Sequence, residues 1–436
     1  MSRFGWTRLA FGAALVAVAA IAGHSASAST YKVLHDFCRK ISCGDGANPS
    51  ESFVADQSGN LYGTAGGGAH NGGIVFELSP PQAGSSHWKY RVLYNFCARQ
   101  NCTDGKFPGE SNLILDTAGN IYGTTKFGGP ANNDGTVFQL APNVGHNSWT
   151  LTTIYGFCYK ESNCADGDMP AGGLTYAGAQ SGAPYDGVSP LYGATSGGGR
   201  RFGGVAYSLT PSSPGKWTEH VLYAFCAVGG SACTDGVGPF GQLSLDSSGN
   251  LFGVTLSAVQ VVFKLTPQSG ARSWTETVLH TFCSWSNCAD GSNSLSGLVP
   301  DAAGNMFGVA WDRGGNGEGV AFEVAASGDY SVIYNFCAQT NCTDGSEPLD
   351  QGGLVFDPSG NLYGTTGGGG RNLRGTVFKL SGNTLSVLYS FCPKGNCAKG
   401  GGGPRGGLLQ DSSGDLFGTT ETGGKYNQGV VFELSP

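Results

Sequence analysis

The 436-residue chain predicts an all-β protein, a seven-bladed β-propeller with four-stranded blades. Three observations carry that reading. A compound motif recurs seven times, each copy holds four short strand-like runs, and no stretch of ten or more residues beyond the N-terminal segment shows a helical apolar period.

The motif is cleanest at Phe336–Leu380, FCAQTNCTDGSEPLDQGGLVFDPSGNLYGTTGGGGRNLRGTVFKL. Its anchors are an F-C pair, a second Cys, a D-G step, an apolar run into D-x-x-G-N, an L-Y-G-T run, a Gly-rich loop and a V-F-x-L run. The F-C pairs begin at Phe37, Phe96, Phe157, Phe225, Phe282, Phe336 and Phe391. Their intervals of 54 to 68 residues differ by loop insertions, since the anchors persist. The runs are rich in Val, Leu, Tyr, Phe and Thr, and Gly, Asp, Asn or Pro bounds them. D-x-x-G-N reads as a hairpin turn, in which Asp accepts backbone N–H bonds and Gly supplies positive φ. Copy three departs from it with the longer Ala177–Pro190. Copy four has Leu256–Gln260 where the others have a Gly-rich loop.

Residues 1–28 read as a signal peptide, with Arg3 and Arg8, an apolar Leu9–Gly23 and a small-x-small Ala26-Ser27-Ala28. The alternative, a retained anchor, needs about 20 apolar residues, and this stretch is short for that. Residues 29–436 then form a single domain of seven repeats, secreted or periplasmic and expected to be monomeric. Its C-terminal VVFELSP carries no apolar tail, and no membrane association is expected after cleavage. The formal charge of −7 becomes −9 without Arg3 and Arg8. No basic stripe stands out, which argues against nucleic acid and anionic membrane. Gly is 75 of 436 residues and charged residues are 13%, but 11% aromatics at fixed repeat positions can build a core.

Strand order predicts how the ring closes. With G-L-x-x-D as innermost strand a, then L-Y-G-T as b, V-F-x-L as c and V-L-Y-x-F as outer strand d, the chain opens with a lone d, Tyr31–Phe37. It ends with a lone c, Val430–Leu434. Pairing the two completes a seventh blade and removes the open edge. The d-to-a loops then share one face with the b-to-c Gly-rich loops. Trp88, Trp149, Trp217 and Trp274 near the start of d are expected to pack between blades. Alternation in WKYRVLYNF puts Trp88, Tyr90, Val92, Tyr94 and Phe96 on one side of the strand.

Each copy has two cysteines: Cys38/Cys43, Cys97/Cys102, Cys158/Cys164, Cys226/Cys233, Cys283/Cys288, Cys337/Cys342 and Cys392/Cys397. In an exported chain these read as seven local disulfides, each closing a small loop for roughly 2 kcal/mol in the entropic model. Metal binding is the weaker reading, because four thiolates would have to converge.

The combination V-L-Y-x-F-C, C-x-D-G, D-x-x-G-N-L-Y-G-T-T and G-T-V-F-x-L resembles the GloVer (Gloeo/Verruco) tandem repeat of exported bacterial proteins. The resemblance covers essentially the whole mature chain. It implies a propeller-like array outside the cytoplasm and carries over no catalytic residues.

Chemistry-bearing motifs are sparse. No G-x-S-x-G occurs, and the Gly-rich loops lack the G-K-[ST] of a phosphate loop. His35 and His280 stand at the Tyr position of V-L-Y, as strand substitutions. The recurring polar group is the D-G aspartate: Asp45, Asp104, Asp166, Asp235, Asp290 and Asp344, with Lys399 in copy seven. These carboxylates could ring one face and bind Ca²⁺ or a polyol, or each could cap its own loop. Beyond such a Ca²⁺ no cofactor is expected. Copy-specific arginines, notably Arg200, Arg201, Arg371 and Arg374, fall in the Gly-rich loops and suit carboxylate-bearing glycans. The leading expectation is a binding or scaffolding module for an extracellular protein or glycan, with its site on the cysteine-loop face around the channel. The alternatives are a hydrolase or lyase acting on sugars or lactones, with Ca²⁺ assistance, and a structural envelope component.

Overall fold

A computed structural model describes residues 29–436 apart from 110–111, 131–132, 160–162, 214, 269–273 and 350–352. Residues 1–28, read from the sequence as a signal peptide, lie outside the described residues. Seven antiparallel sheets form the blades of a propeller. From inner strand a to outer strand d, blade 1 is Val54–Ala55, Leu61–Ala65, Ile74–Ser79 and Lys89–Asn95. Blade 2 is Ile114–Leu115, Ile121–Thr125, Thr136–Pro142 and Trp149–Gly156. In blade 3 the inner strand is split into Asp168–Pro170 and Thr175–Tyr176, followed by Leu191–Gly197, Val205–Ser213 and Lys216–Ala224. Blade 4 is Val237–Leu245, Leu251–Ser257, Val261–Pro267 and Trp274–Thr281. Blade 5 is Val299–Pro300, Met306–Ala310, Val320–Val324 and Tyr330–Asn335. Blade 6 is Val355–Phe356, Leu362–Thr366, Thr376–Ser381 and Thr384–Ser390. No α-helix occurs among the described residues, and none of their helical turns could cross a membrane.

Blade 7 is the expected clasp. Leu409–Gln410, Leu416–Thr420 and Val430–Ser435 are completed by the N-terminal strand Thr30–Asp36, with Tyr31 opposite Leu434 and Asp36 opposite Val430. The Tyr31 hydroxyl donates to the Gly400 carbonyl, and its ring stacks on Tyr389 of blade 6 at 4.1 Å.

One expectation is overturned. Strand d does not keep five residues on one side. Val75 faces Tyr94 and Phe76 faces Val92, which leaves Leu93 as a β-bulge. The same skip recurs at Leu34, Ile154, Leu222, Leu279, Ile333 and Leu388. A bulge breaks the period-two alternation. Trp88, Tyr90 and Val92 therefore pack with Phe37 and Phe417, whereas Leu93, Tyr94 and Phe96 pack with Leu113 and Phe138 of blade 2. Each outer strand serves both neighbouring blades.

The tryptophans fall on the preceding blade, as inter-blade packing requires. Trp88 meets Phe417, Trp149 meets Tyr62, Trp217 meets Tyr122 and Trp274 meets Tyr192. Inner strands crowd closely. A Cβ on Gly172, at φ +96°, would lie 2.3 Å from the Gly241 backbone, so that contact between blades 3 and 4 demands glycine.

The two irregular copies find local solutions. The copy-three insertion reaches blade 2, where Tyr185 N–H donates to Leu115 O and Tyr185 O accepts from Thr117 N–H. Elsewhere a b-to-c loop carbonyl accepts a backbone N–H from the next copy, as Gly72 O does from Phe107. Copy four lacks that loop, and the Gln260 side-chain carbonyl accepts from Asn293 N–H at 2.7 Å instead.

Phe336 is fully buried and meets Phe378 of the next blade edge-on at 5.3 Å. Phe336→Ala is expected to cost about 3–5 kcal/mol, read as a lower denaturation midpoint with an unchanged slope. A loss below about 1 kcal/mol would show that this contact does not hold the blades together.

Candidate functional site

In six blades the cysteine loop and the Gly-rich loop meet on one face. Gly68 N–H donates to Cys43 O, Gly129 to Cys102 O, Gly199 to Cys164 O, Gly314 to Cys288 O, Gly370 to Cys342 O and Gly424 to Cys397 O. All seven cysteine pairs are joined within their own copies. The first cysteine of each pair has φ between +56° and +63°, a left-handed conformation unusual for a side-chain-bearing residue.

Cys233 lies in the copy that lacks a Gly-rich loop, and its loop stands apart from the other six. It is bonded to Cys226 as expected, across a sequence separation of 7, the widest of the seven pairs. Its carbonyl accepts from Gly236 N–H within its own loop, but no b-to-c loop reaches it. The physical reason is length. Only residues 258–260 separate strands Leu251–Ser257 and Val261–Pro267, too few to fold back over the disulfide. The Cys226–Cys233 loop instead closes on itself, with Thr234 N–H donating to Val228 O and Ala232 N–H to Gly229 O. Cys233 is thus a disulfide partner but not part of a two-loop surface in blade 4.

The six D-G aspartates are all buried. Asp45 accepts from the N–H groups of Arg39 and Lys40 at 2.9 and 3.0 Å. Asp104, Asp235, Asp290 and Asp344 accept the corresponding pairs in their loops. The V-L-Y tyrosine adds a third bond: Tyr94 to Asp104, Tyr155 to Asp166, Tyr223 to Asp235 and Tyr334 to Asp344, at 2.7–2.8 Å. These carboxylates brace their own loops and do not project as a ring of ligands. In copy seven the exposed Lys399 replaces the aspartate, and the Asn396 side chain caps Ala398 N–H.

His35 and His280 take the tyrosine's place. His280 Nε2 lies 2.9 Å from Asp290, and His35 Nε2 lies 3.9 Å from Asp45. Burial lowers the basicity of both rings, His35 to a pKa of about 4, with Arg39 adding to the effect and Asp45 opposing it. Each is a neutral strand residue at neutral pH.

Among the described residues, the metal-type cluster is Asp134 with Cys158 and Cys164, whose sulfurs are bonded to each other. Nearby Asp134 and Asp168 are raised above the usual carboxylate range, first by burial and then by neighbouring acids. The donor set does not fit a structural metal centre, since its thiolates are consumed.

Two large concavities of this face lie along the outer strands. A groove of about 840 Å³ on blade 3 is lined by Asn163, Asp166, Arg200, Glu219, Tyr223 and Trp274, among others. An equivalent groove of about 940 Å³ on blade 6 is lined by Gln339, Thr343, Arg371, Asn372, Tyr389 and Pro393, among others. At the inner strands a cavity of only about 190 Å³ opens around Gln242 and Ser244. Of the residues singled out by sequence, the structure thus gathers Asp166 with Arg200, and sets Arg371 in the second groove. Arg201 and Arg374 stand exposed beside them, and the other five aspartates stay inside their loops. The opposite face is dominated by D-x-x-G-N turns. Asp56 accepts from Ser58 N–H, Asn60 N–H, the Asn60 amide and the Tyr62 hydroxyl. A groove of about 620 Å³ there includes Asp301 and Asp357, whose oxygens are committed to such turns.

Sequence reasoning missed two acids. Glu219 and Glu276 occupy the strand-d position that holds Tyr31, Tyr90 and Tyr330 in blades 7, 1 and 5. Aligning the copies on their F-C pairs exposes the substitution. Tyr90 and Tyr330 donate to the carbonyls of Asp45 and Asp290, both at 2.6 Å. At the same position Glu276 has a buried Oε1 with no hydrogen-bond partner. Burial first, then Asp235, raises its pKa from 4.5 to about 7. The folded-state pKa lies above the unfolded one, so folding favours the protonated acid. Stability contributed by Glu276 is complete below about pH 4.5 and falls as the pH rises to about 7. Glu276→Gln is expected to melt higher than the parent above that window and alike below it. A constant difference across the window would contradict the assignment.

A family model described as Gloeobacter/Verrucomicrobia repeat matches residues 20–189 and 258–436. The unmatched stretch, residues 190–257, covers the later part of copy three and the first half of copy four. No curated protein matches the chain in sequence. Solved structures of similar shape include the polysaccharide lyase Uly1, at 9% identity over 88% of this chain and 89% of that one, TM-score 0.49. A Thermus putative oxidoreductase (glucose dehydrogenase) aligns at 12% identity over 93% and 100%, TM-score 0.44. A Penicillium chrysogenum α-L-arabinanase complexed with arabinobiose aligns at 12% over 74% and 91%, TM-score 0.42. At these identities the likeness carries no activity to this chain.

Proposed function

We propose, for a chain that belongs to the Gloeobacter/Verrucomicrobia repeat family, a role as a rigid extracytoplasmic binding module that holds a saccharide in the rim groove of blade 3. The observation that carries this reading is the lining of that groove. It combines aromatic walls, Trp274 and Tyr223, with the polar side chains of Arg200 and Asn163. A concave site with apolar walls and a few convergent polar groups is the usual form of a small-ligand pocket. Flat rings suit the apolar face of a sugar, and the guanidinium offers a planar fork to hydroxyl or carboxylate oxygens. The framework supports the role, since seven disulfides and the internal aspartate braces hold the loops whether or not a ligand is bound.

The groove on blade 6 favours an acidic saccharide. None of the residues around Arg371 in that groove is a carboxylate. A polysaccharide panel including uronate-containing polymers is the first screen. Trp274→Ala and Arg200→Ala are each expected to weaken retention roughly tenfold, while Ser248→Ala in a turn of the opposite face leaves it unchanged. Loss through Ser248→Ala alone, with the fold intact, would place the site on the other face. Release of new sugar ends during incubation would replace binding by turnover.

A further inference from the structure

We propose that the face carrying the cysteine and Gly-rich loops is a docking surface for an anionic lipid membrane. The exposed aromatic side chains of the described residues are Phe107, Tyr159, Phe202, Trp285 and Tyr426, and all five stand in those loops. Two aliphatic tips join them, Ile41 at 95% exposure and Leu373 at 66%. The opposite face offers only Val144 and Val188 of this size among the described residues. Exposed apolar groups occurring singly need no explanation, but their collection on one face does.

Their backbones sharpen the point. Phe107, Phe202 and Leu373 have φ of +57°, +58° and +55°. Glycine or asparagine adopts that conformation more readily than a bulky residue. The isolated protein therefore gains little burial and no backbone ease from Phe202 and Leu373, while Phe107 rests part-buried against Phe127. A hydrocarbon boundary would supply the burial.

Basic residues stand beside the tips. Arg39 and Lys40 precede Ile41, Arg201 precedes Phe202, Arg374 follows Leu373 and Lys425 precedes Tyr426. All five are exposed, and none forms an ion pair among the described residues. The Lys425 ammonium lies 5.5 Å from the Tyr426 ring centre, and that of Lys106 lies 4.9 Å from Phe107. The other face bears the turn carboxylates Asp56, Asp116, Asp246, Asp301, Asp357 and Asp411. A chain of net charge −7 thus gathers exposed basic and aromatic groups on one side, where Glu347 is exposed and Asp312, Glu318 and Glu421 are half-buried, and its turn carboxylates on the other. Aromatic rings and cationic side chains together match the headgroup zone of an anionic bilayer, which also repels the acidic face. The sequence hides this surface because its basic residues are scattered through seven copies, and only ring closure gathers them. Membrane fits better than soluble polyanion because Ile41 and Leu373 have no hydrogen bond to offer a glycan.

The test is co-sedimentation of the mature chain with vesicles of phosphatidylcholine alone and of phosphatidylcholine with phosphatidylglycerol. Binding is expected on the anionic vesicles only, and to weaken with salt. Arg374→Gln and Lys425→Gln should each weaken it roughly fivefold. Phe202→Ser and Leu373→Ser should weaken it without any change in charge, and Val144→Ser on the opposite face should not. None of these side chains lines the blade 3 groove, so saccharide retention reports separately on that site. Failure to bind, equal binding to both vesicles, or an equal loss with Val144→Ser would overturn the proposal. So would capture by a soluble anionic polysaccharide that depends on Arg374 but not on Leu373.

Discussion

Seven times around the ring, the phenylalanine that follows an outer strand sits edge-on to the aromatic ring of strand c in the next blade. The ring centres are 4.9–5.5 Å apart in every case, from Phe37 on Phe76 to Phe391 on Phe432. Such pairs contribute about 0.5–1.5 kcal/mol each beyond their burial. The rest of the repeat accommodates them. The strand-c ring lies over the glycine of L-Y-G, where a Cβ at Gly63 would come within 2.9 Å of Phe76. The leucine bulge turns the upper half of strand d toward the following blade so that the phenylalanine can arrive there. The cysteine immediately after it takes a left-handed conformation that reverses the chain out of the strand.

This contact explains how much of the fold was legible. Aromatic anchors that must meet a neighbour tolerate little drift, so seven copies remain recognisable through varied loops. Blade number, the four-stranded sheets and the clasp of Thr30–Asp36 on Val430–Ser435 followed from them. The bulge did not, because a skipped residue leaves no mark in a run such as V-L-Y-N-F. Reading strict alternation through Leu93 sent Tyr94 and Phe96 to the wrong blade.

The site was less legible, for a different reason. Repetition marks what the framework needs, and Asp104 or Asp344 recurs because a loop carbonyl–amide turn beside a disulfide needs an acceptor. A carboxylate kept for a ligand and one kept for its own loop look identical in a list of copies. Only burial and partners separate them. The arginines were legible as departures from the repeat, and Arg200 and Arg371 do reach grooves. The glutamates at 219 and 276 were equally visible as departures, but they fall inside a strand, where attention to loops passes over them.

The two faces divide along the same line. In D-x-x-G-N both carboxylate oxygens are used by the turn itself, so that surface is chemically closed and its sequence barely varies. In the cysteine loops the disulfide and the buried aspartate fix the path from outside. The residues between the cysteines contribute backbone N–H groups to the brace, joined in blade 5 by the Ser284 hydroxyl, and most of their side chains stand outward. Ile41, Val228 and Trp285 all occupy that stretch and are all exposed. Because the brace draws on the backbone of these residues far more than on their side chains, nearly any side chain can stand there at little cost to stability. That freedom lets one rigid ring carry seven different loops on this face.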